Sequence, residues 1–359
     1  MAAYTTIDDP SAYFKVQLYT GNGSANHAIT FDDTDTNMQP DFVIIKNRDA
    51  TDSFCLFDSA RGVTKVLHSD DPDTVEQTDT DTLDSFTSDG FQVDADVKVN
   101  TNTEDYVAWC WNTQGGAGSS NTAGTINTTT TSVNTTSKFS ISTYTGTGSA
   151  GTIGHGLGVT PSFIIFKTRN DTNWFGVYLK SGGDVHTGYD SLMYLNSINA
   201  LASSQEVNIA PTSSVIAFSD NEQINKSSSE NYVMYAWSAV QGYSKFGEYI
   251  GNGNVNSPFI YTGFRPRMVI IKMTVTGDGW GIWDSERSPI NVTDSIFQAN
   301  SSGAESGSNA AYKIDFLSNG FKIRSNNAQI NHTSYDPYIY MAFAEAPLVN
   351  SNGVPCNAR

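Results

Sequence analysis

The chain has 359 residues, with 20 Lys and Arg against 37 Asp and Glu, a formal net charge of −17 and a pI near 4.5. That balance excludes the basic footprint nucleic-acid binding needs and opposes adsorption to an anionic membrane. Charged residues are only 16% of the chain, so the acids lie thinly over a surface of Ser, Thr, Asn and Gly and serve solubility.

Residues 1–13 read as a leader, with Asp8-Asp9-Pro10-Ser11 able to start one helical turn. They lack the basic and apolar regions of a secretory signal, and no apolar run is long enough to span a bilayer as a helix. A first β unit follows over 14–112. Within it, Pro40-Asp41-Phe42-Val43-Ile44-Ile45-Lys46 reads as a buried strand that opens on proline, where no ladder hydrogen bond is lost. Ser88-Asp89-Gly90-Phe91 signals a hairpin, because Asp-Gly tolerates the positive φ of a type I′ turn. Tyr106-Val107-Ala108-Trp109-Cys110-Trp111 is an aromatic closing strand, in which Cys110 is expected as a small buried apolar residue. The three cysteines, Cys55, Cys110 and Cys356, are too few and too scattered for a disulfide framework or a zinc site, which suits folding in a reducing cytoplasm.

Residues 113–137 contain almost only Gly, Ser, Thr, Asn and Ala, and read as a linker or extended crossing. After it the same lettering returns twice, over 138–242 and 243–347. Tyr19-Thr20-Gly21-Asn22-Gly23 recurs as Tyr144-Thr145-Gly146-Thr147-Gly148 and Tyr249-Ile250-Gly251-Asn252-Gly253. The strand ending in Lys46 recurs before Lys167 and Lys272, and the strand opening on Tyr106 recurs at Tyr232 and Tyr338. From the second copy to the third these markers move by 105, 105 and 106 residues; from the first to the second they move by 125, 121 and 126. Markers that move together define a repeat with the period of a small domain. The expected fold is all-β: three tandem, related β-sandwich, jelly-roll-like domains, with 348–359 as a C-terminal tail. The short passage between copies two and three implies that those two pack together, and the longer crossing makes the first a hinged domain. The best helical candidate is Ser197 to Val207. Ser318-Asn319-Gly320-Phe321 repeats the hairpin signal in the third copy, and the middle copy lacks it, so its hairpin is expected to differ.

The candidates for chemistry each have a structural reading beside them. Gly146-Thr147-Gly148-Ser149-Ala150-Gly151 matches a dinucleotide fingerprint, but a strand pattern follows where a helix is required, so it reads as a turn. The histidines show no metal-ligand spacing, and His27 and His155 read as loop hydrogen-bonders. Asp32-Asp33-Thr34-Asp35 and Asp70-Asp71-Pro72-Asp73 could gather Ca2+ but lack a calcium loop's glycine and distal glutamate. Asp58-Ser59-Ala60-Arg61 and Asp284-Ser285-Glu286-Arg287 match one another and read as turns closed by an Asp–Arg pair. Trp174, Trp280 and Trp283 are the candidate glycan platforms, against a core reading in their alternating strands. No nucleophile–base pair emerges, so no catalytic residue and no cofactor are assigned.

At the level of whole phrases the sequence resembles proteins of marine tailed bacteriophages. The phrases are Met1-Ala2-Ala3-Tyr4-Thr5-Thr6-Ile7-Asp8, Met38-Gln39-Pro40-Asp41-Phe42, Asp58-Ser59-Ala60-Arg61-Gly62-Val63-Thr64, Asp315-Phe316-Leu317-Ser318-Asn319-Gly320-Phe321-Lys322 and Tyr340-Met341-Ala342-Phe343-Ala344-Glu345. The resemblance covers all but the 113–137 crossing and implies a virion structural or tail-fibre-like protein built of repeated sandwiches. From it follow the expectations of a non-enzymatic component on the virion exterior, contacts with other virion proteins, and a homo-oligomer, with a trimer as the guess. Attachment to host surface glycan is the expected role. Capsid decoration or tail assembly is the alternative, and a glycan depolymerase ranks last.

Overall fold

The computed structural model describes residues 3–31, 36–71, 73–173, 175–179, 191–203, 207, 210–219, 222–275, 277–333 and 336–356. The fold is all-β and built of antiparallel sheets. Among the described residues every strand ladder stays within one unit. In the first unit, strands Phe14–Thr20, Asp105–Trp111, Phe42–Asn47 and Cys55–Asp58 form an inner sheet in that order, and His27–Thr30, Gly90–Val93 and Leu83–Thr87 form an outer one. The third unit repeats this with Ser244–Ile250, Pro337–Pro347, Phe264–Met273 and Gly281–Asp284 inside, and Phe259–Tyr261, Gly320–Ile323 and Ile314–Leu317 outside. In the second unit, Phe139–Thr145, Asn231–Trp237, Phe163–Thr168 and Gly176–Leu179 form the inner sheet, and Gly151–Gly154 pairs with Val215–Phe218 outside. The registers coincide as well: Lys46 faces Val107, Lys167 faces Val233 and Lys272 faces Ile339. The repeated lettering therefore marks one repeated structure.

Strand alternation explains why the repeats carry so many aromatics. On the closing strand of the first unit, Tyr106, Ala108 and Cys110 point into that unit's own sandwich core, while Val107, Trp109 and Trp111 point the other way. The same division separates Tyr232, Met234 and Ala236 from Val233, Tyr235 and Trp237, and Tyr338, Tyr340 and Ala342 from Ile339, Met341 and Phe343. The second set from each unit converges in one hydrophobic core shared by all three. Trp111 lies against both Trp237 (6.4 Å) and Phe343 (5.5 Å), its own counterparts in the other units. Equivalent residues touch each other only near a rotation axis. The three units thus close head-to-tail into a ring with approximate threefold symmetry. The expected hinge is corrected by this packing: the first unit is held as closely as the other two, because leaving its inner face open would expose Val107, Trp109 and Trp111.

Each turn signature is locked by an asparagine at the end of a four-residue helix. Helix Val97–Asn100 presents Asn100, whose Oδ1 accepts from Asn22 N (2.8 Å) and whose Nδ2 donates to Ser24 O and Asp94 O (both 2.8 Å). Asn225 and Asn331 end helices Glu222–Asn225 and Ala328–Asn331 and receive Thr147 N and Asn252 N, each at 2.7 Å. Beside each lock two signature tyrosines stack, Tyr19 on Tyr106, Tyr144 on Tyr232 and Tyr249 on Tyr338, at 5.1, 5.1 and 4.9 Å. Their hydroxyls bond the helix backbone; Tyr19 donates to Val99 O, Tyr144 to Ile224 O and Tyr249 to Ile330 O, at 2.8, 2.7 and 2.7 Å.

Four local expectations change. The 113–137 crossing is not a free linker: Thr130–Asn134 adds a strand to the second inner sheet, Ile126 enters that unit's core, and Thr113, Gly115 and Gly116 donate to the Asp41 carboxylate. The hairpins at Gly90 and Gly320 exist, but their two-residue loops are Ser88-Asp89 and Ser318-Asn319, none in the left-handed region. The glycines are needed because the neighbouring edge strand passes close by; a Cβ would sit 2.0 Å from Ile29 O or 2.1 Å from Ile260 O. Over 197–203 the chain is irregular and then forms the short strand Ala202–Ser203 rather than a helix; several of the following residues lie outside the described ones. The leader is structural, since Ile7 enters the shared core and Tyr4 donates to Gly263 O at 2.8 Å. Cys110 is buried as expected.

A shared core forbids separate melting of the three units. Differential scanning calorimetry of the full chain is expected to give one transition with calorimetric and van't Hoff enthalpies equal; two or three resolved transitions would contradict the shared core.

Candidate functional site

The sequence-level site residues go largely into packing. Trp280 and Trp283 are fully buried, and their indole N–H groups donate to Tyr194 O and Tyr312 O, both at 2.8 Å. The strand Gly281–Asp284 is covered on both faces, so neither ring offers a platform to a sugar; the core reading holds for these two. Trp174 lies outside the described residues. Lys46, Lys167 and Lys272 are buried, and each ammonium is wrapped by backbone carbonyls. Lys46 Nζ donates to Asn47 O (2.7 Å) and Ala50 O (3.1 Å), Lys167 Nζ to Asn173 O and Asp171 O, and Lys272 Nζ to Met273 O (2.7 Å). Burial pushes all three down to about 8.

The matched Asp–Arg turns do more than close themselves: they are the joints of the ring. Asp58 binds the backbone N (2.8 Å) and side chain of Arg61, and its Oδ2 also accepts the Tyr235 hydroxyl of the second unit at 2.6 Å. Asp284 binds Arg287 the same way and accepts the Trp109 indole N–H of the first unit at 3.1 Å. Trp109 and Tyr235 are equivalent residues, three positions after Tyr106 and Tyr232. A glutamate then ties each turn to the next unit. Glu76 lies between Arg61 (3.2 Å) and Arg169 (2.8 Å), and Glu305 between Arg48 (2.6 Å) and Arg287 (3.6 Å). Glu76 N also donates to Arg169 O and Glu305 N to Arg48 O, both at 2.9 Å. Burial pushes both carboxyls up, yet the arginines outweigh it and hold both below the usual range. The remaining joint, between the second and third units, uses Leu201 N to Thr274 O at 2.8 Å. Sequence reasoning missed these glutamates, whose partners lie in another unit.

With the repeated positions spent on packing, a candidate surface must be sought where one unit departs from its siblings. The third unit departs outward at two places. On its outer edge strand, Phe259 and Tyr261 are 44% and 47% exposed, where the first unit has Ala28 and Thr30 and the second has Thr152 and Gly154. Phe259 leans over Gly320, where any Cβ would meet its ring at 3.0 Å. Lys245 sits 5.3 Å from the Tyr261 ring centre and donates to Tyr261 O at 2.6 Å; Tyr4 OH lies 3.2 Å from Tyr261 OH. Around the hairpin turn, a groove of about 730 Å³ is lined by residues including Arg265, Ile290, Asn291, Phe316 and Glu345. Its polar groups satisfy one another: Arg265 pairs with Glu345 at 2.8 Å, and Asn291 holds both backbone groups of Phe316. Ile290 is 81% exposed beside them.

The other motifs resolve structurally. Gly146-Thr147-Gly148 is a turn held by Asn225, and the segment runs into strand Gly151–Gly154 with no helix. His27 bonds Asn100 at 2.9 Å, and buried His155 accepts from Leu157 N; burial lowers His155 to about 4, which keeps it neutral. Asp70 accepts Phe54 N and Asp71 accepts Asp73 N, while 32–35 lie outside the described residues. Among the described residues no three His, Cys, Asp or Glu side chains converge for a metal ion. In comparisons with known proteins, the model of a family described as a domain of unknown function (DUF7483) matches residues 9–347, taking in all three units. No curated protein and no solved structure matches.

The buried charges bear on stability in two measurable ways. Glu76→Ala leaves Arg61 buried without one of its two carboxylates and is expected to cost about 3 kcal/mol in urea unfolding, against less than about 1 kcal/mol for Glu345→Ala at a part-exposed pair. Second, the three lysines release protons on folding between about 8 and their ordinary 10.5. The unfolded chain binds more protons in that window, so stability rises with pH from 8 towards about 9. Above that, burial holds Cys55, Cys110, Tyr19, Tyr144 and Tyr249 protonated while the unfolded chain ionises, and stability falls again. A Tm that already declines between pH 8 and about 9 would contradict the lysine assignment.

Proposed function

The chain belongs to the DUF7483 family, and from that premise we propose that it is a non-enzymatic structural component of a phage particle, displayed on the exterior, where its third unit contacts host surface glycan. The observation that carries this reading is the distribution of chemistry. The repeated Lys, Asn, Tyr and Asp–Arg residues are consumed by locks and joints, while the aromatic pair Phe259 and Tyr261, which the other two units lack at these positions, stays half exposed on the third. A rigid ring that presents an aromatic strip is a scaffold for contact, and the phrase-level resemblance to marine phage proteins supports a virion setting. The closed, three-way core also favours a second reading, capsid decoration, since a stiff body seats well on a lattice.

Immunogold labelling of purified particles of the encoding phage tests the reading. Label on the tail or baseplate is the expected result, label spread over the head would favour decoration, and a chain absent from the particles would remove the virion role.

A further inference from the structure

The repeats supply an internal control that a single sandwich would lack. The outer sheet folds with Ala28 and Thr30 on the edge strand of the first unit and Gln92 on the strand beside it. The third unit replaces these with Phe259, Tyr261 and Lys322 at the same register positions. Packing does not require the change, because the glycine opposite, Gly90 in the first unit and Gly320 in the third, is accommodated with either set. The replacement puts two rings on one face, about 7 Å apart along the strand. Both keep nearly half their surface exposed.

What surrounds the rings points to a ligand class. Lys245 and Lys322 flank them, and neither forms an ion pair among the described residues; Lys245 is held by Tyr261 O and Lys322 by Asn256 Oδ1 at 3.0 Å. Asp315, across from Lys322 on strand Ile314–Leu317, is engaged by Arg324 at 3.3 Å. In a chain of net charge −17, this is a local positive field around an aromatic strip. A pyranose offers one face of polarised C–H bonds that suits the negative face of a ring, and its hydroxyls suit hydroxyl and amide neighbours such as Tyr4 and Asn256. Two ammonium groups beside the rings select a sugar that carries carboxylate or sulfate. We propose that the outer face of the third unit, formed by Phe259, Tyr261, Lys245 and Lys322, binds an acidic polysaccharide. This deepens the adhesion reading above and rests on it.

The test uses the full chain and the variant Phe259→Ala/Tyr261→Thr/Lys322→Gln, which restores the first unit's own residues and so preserves the fold. Retention on immobilised polygalacturonate and on neutral dextran is measured at low and high salt, with Tm as the check on folding. The wild-type chain is expected to bind polygalacturonate in preference to dextran, more weakly at high salt, and the variant to bind about tenfold less at unchanged Tm. No retention of the wild-type chain, equal retention on dextran, or undiminished binding by the folded variant would overturn the proposal. Binding of both proteins to host cells is measured in parallel. If both bind alike, adhesion stands and this site falls; if neither binds, the adhesion reading itself falls.

Discussion

The structure depends on the contact of Trp111 with Trp237 and Phe343. Because these are one residue written three times, their meeting fixes where the three inner sheets must lie. Once the sheets face a common centre, the closing strand of each unit is buried on both sides along its aromatic run, and that run must be apolar. The strand bearing Trp109, Cys110 and Trp111 meets that demand. No unit could bury its inner face alone, so the sandwiches are parts of one body, although among the described residues no hydrogen-bonded strand ladder crosses between them.

The polar joints follow from the same arrangement. A carboxylate at the rim of a hydrophobic core is costly unless it is fully engaged. Asp58 and Asp284 each meet that condition with an arginine from their own turn and a donor from another unit, Tyr235 or Trp109. The middle unit carries Leu179 at the aspartate position, and the third carries Met341 at the donor position. Acid and donor are thus both present at two joints and both missing from the sequence at the remaining one. The buried lysines follow the same rule, with backbone carbonyls in place of carboxylates.

Much of this was legible in the sequence, because a repeat displays which positions the fold reuses. The strands around Lys46, Lys167 and Lys272 and the stacked tyrosines belong to that class, and the asparagines could have joined it: Asn100, Asn225 and Asn331 keep the spacing of the tyrosines. Association between units was not legible. Alternation points Trp280 and Trp283 to a core, but it does not show that the second unit closes over Trp280 through Tyr194, or that Glu76 and Glu305 meet arginines of a neighbouring unit. Composition leaves the 113–137 segment open between a linker and an extended crossing; Ser and Thr pair as a strand when a sheet edge such as Phe139–Thr145 offers a partner. The aromatic strip at Phe259 and Tyr261 was hidden in a short strand whose exposure depends on its place at the sheet edge.

Covalent fusion of the three copies has an evolutionary corollary. In a ring of identical subunits, a mutation that alters one rim alters all of them, and a change harmful to assembly is incurred threefold. Joined in one polypeptide, the copies are released from that obligation. Two can go on holding the circle while the last explores new surface chemistry, and Phe259 and Tyr261 stand where such exploration leaves the architecture untouched.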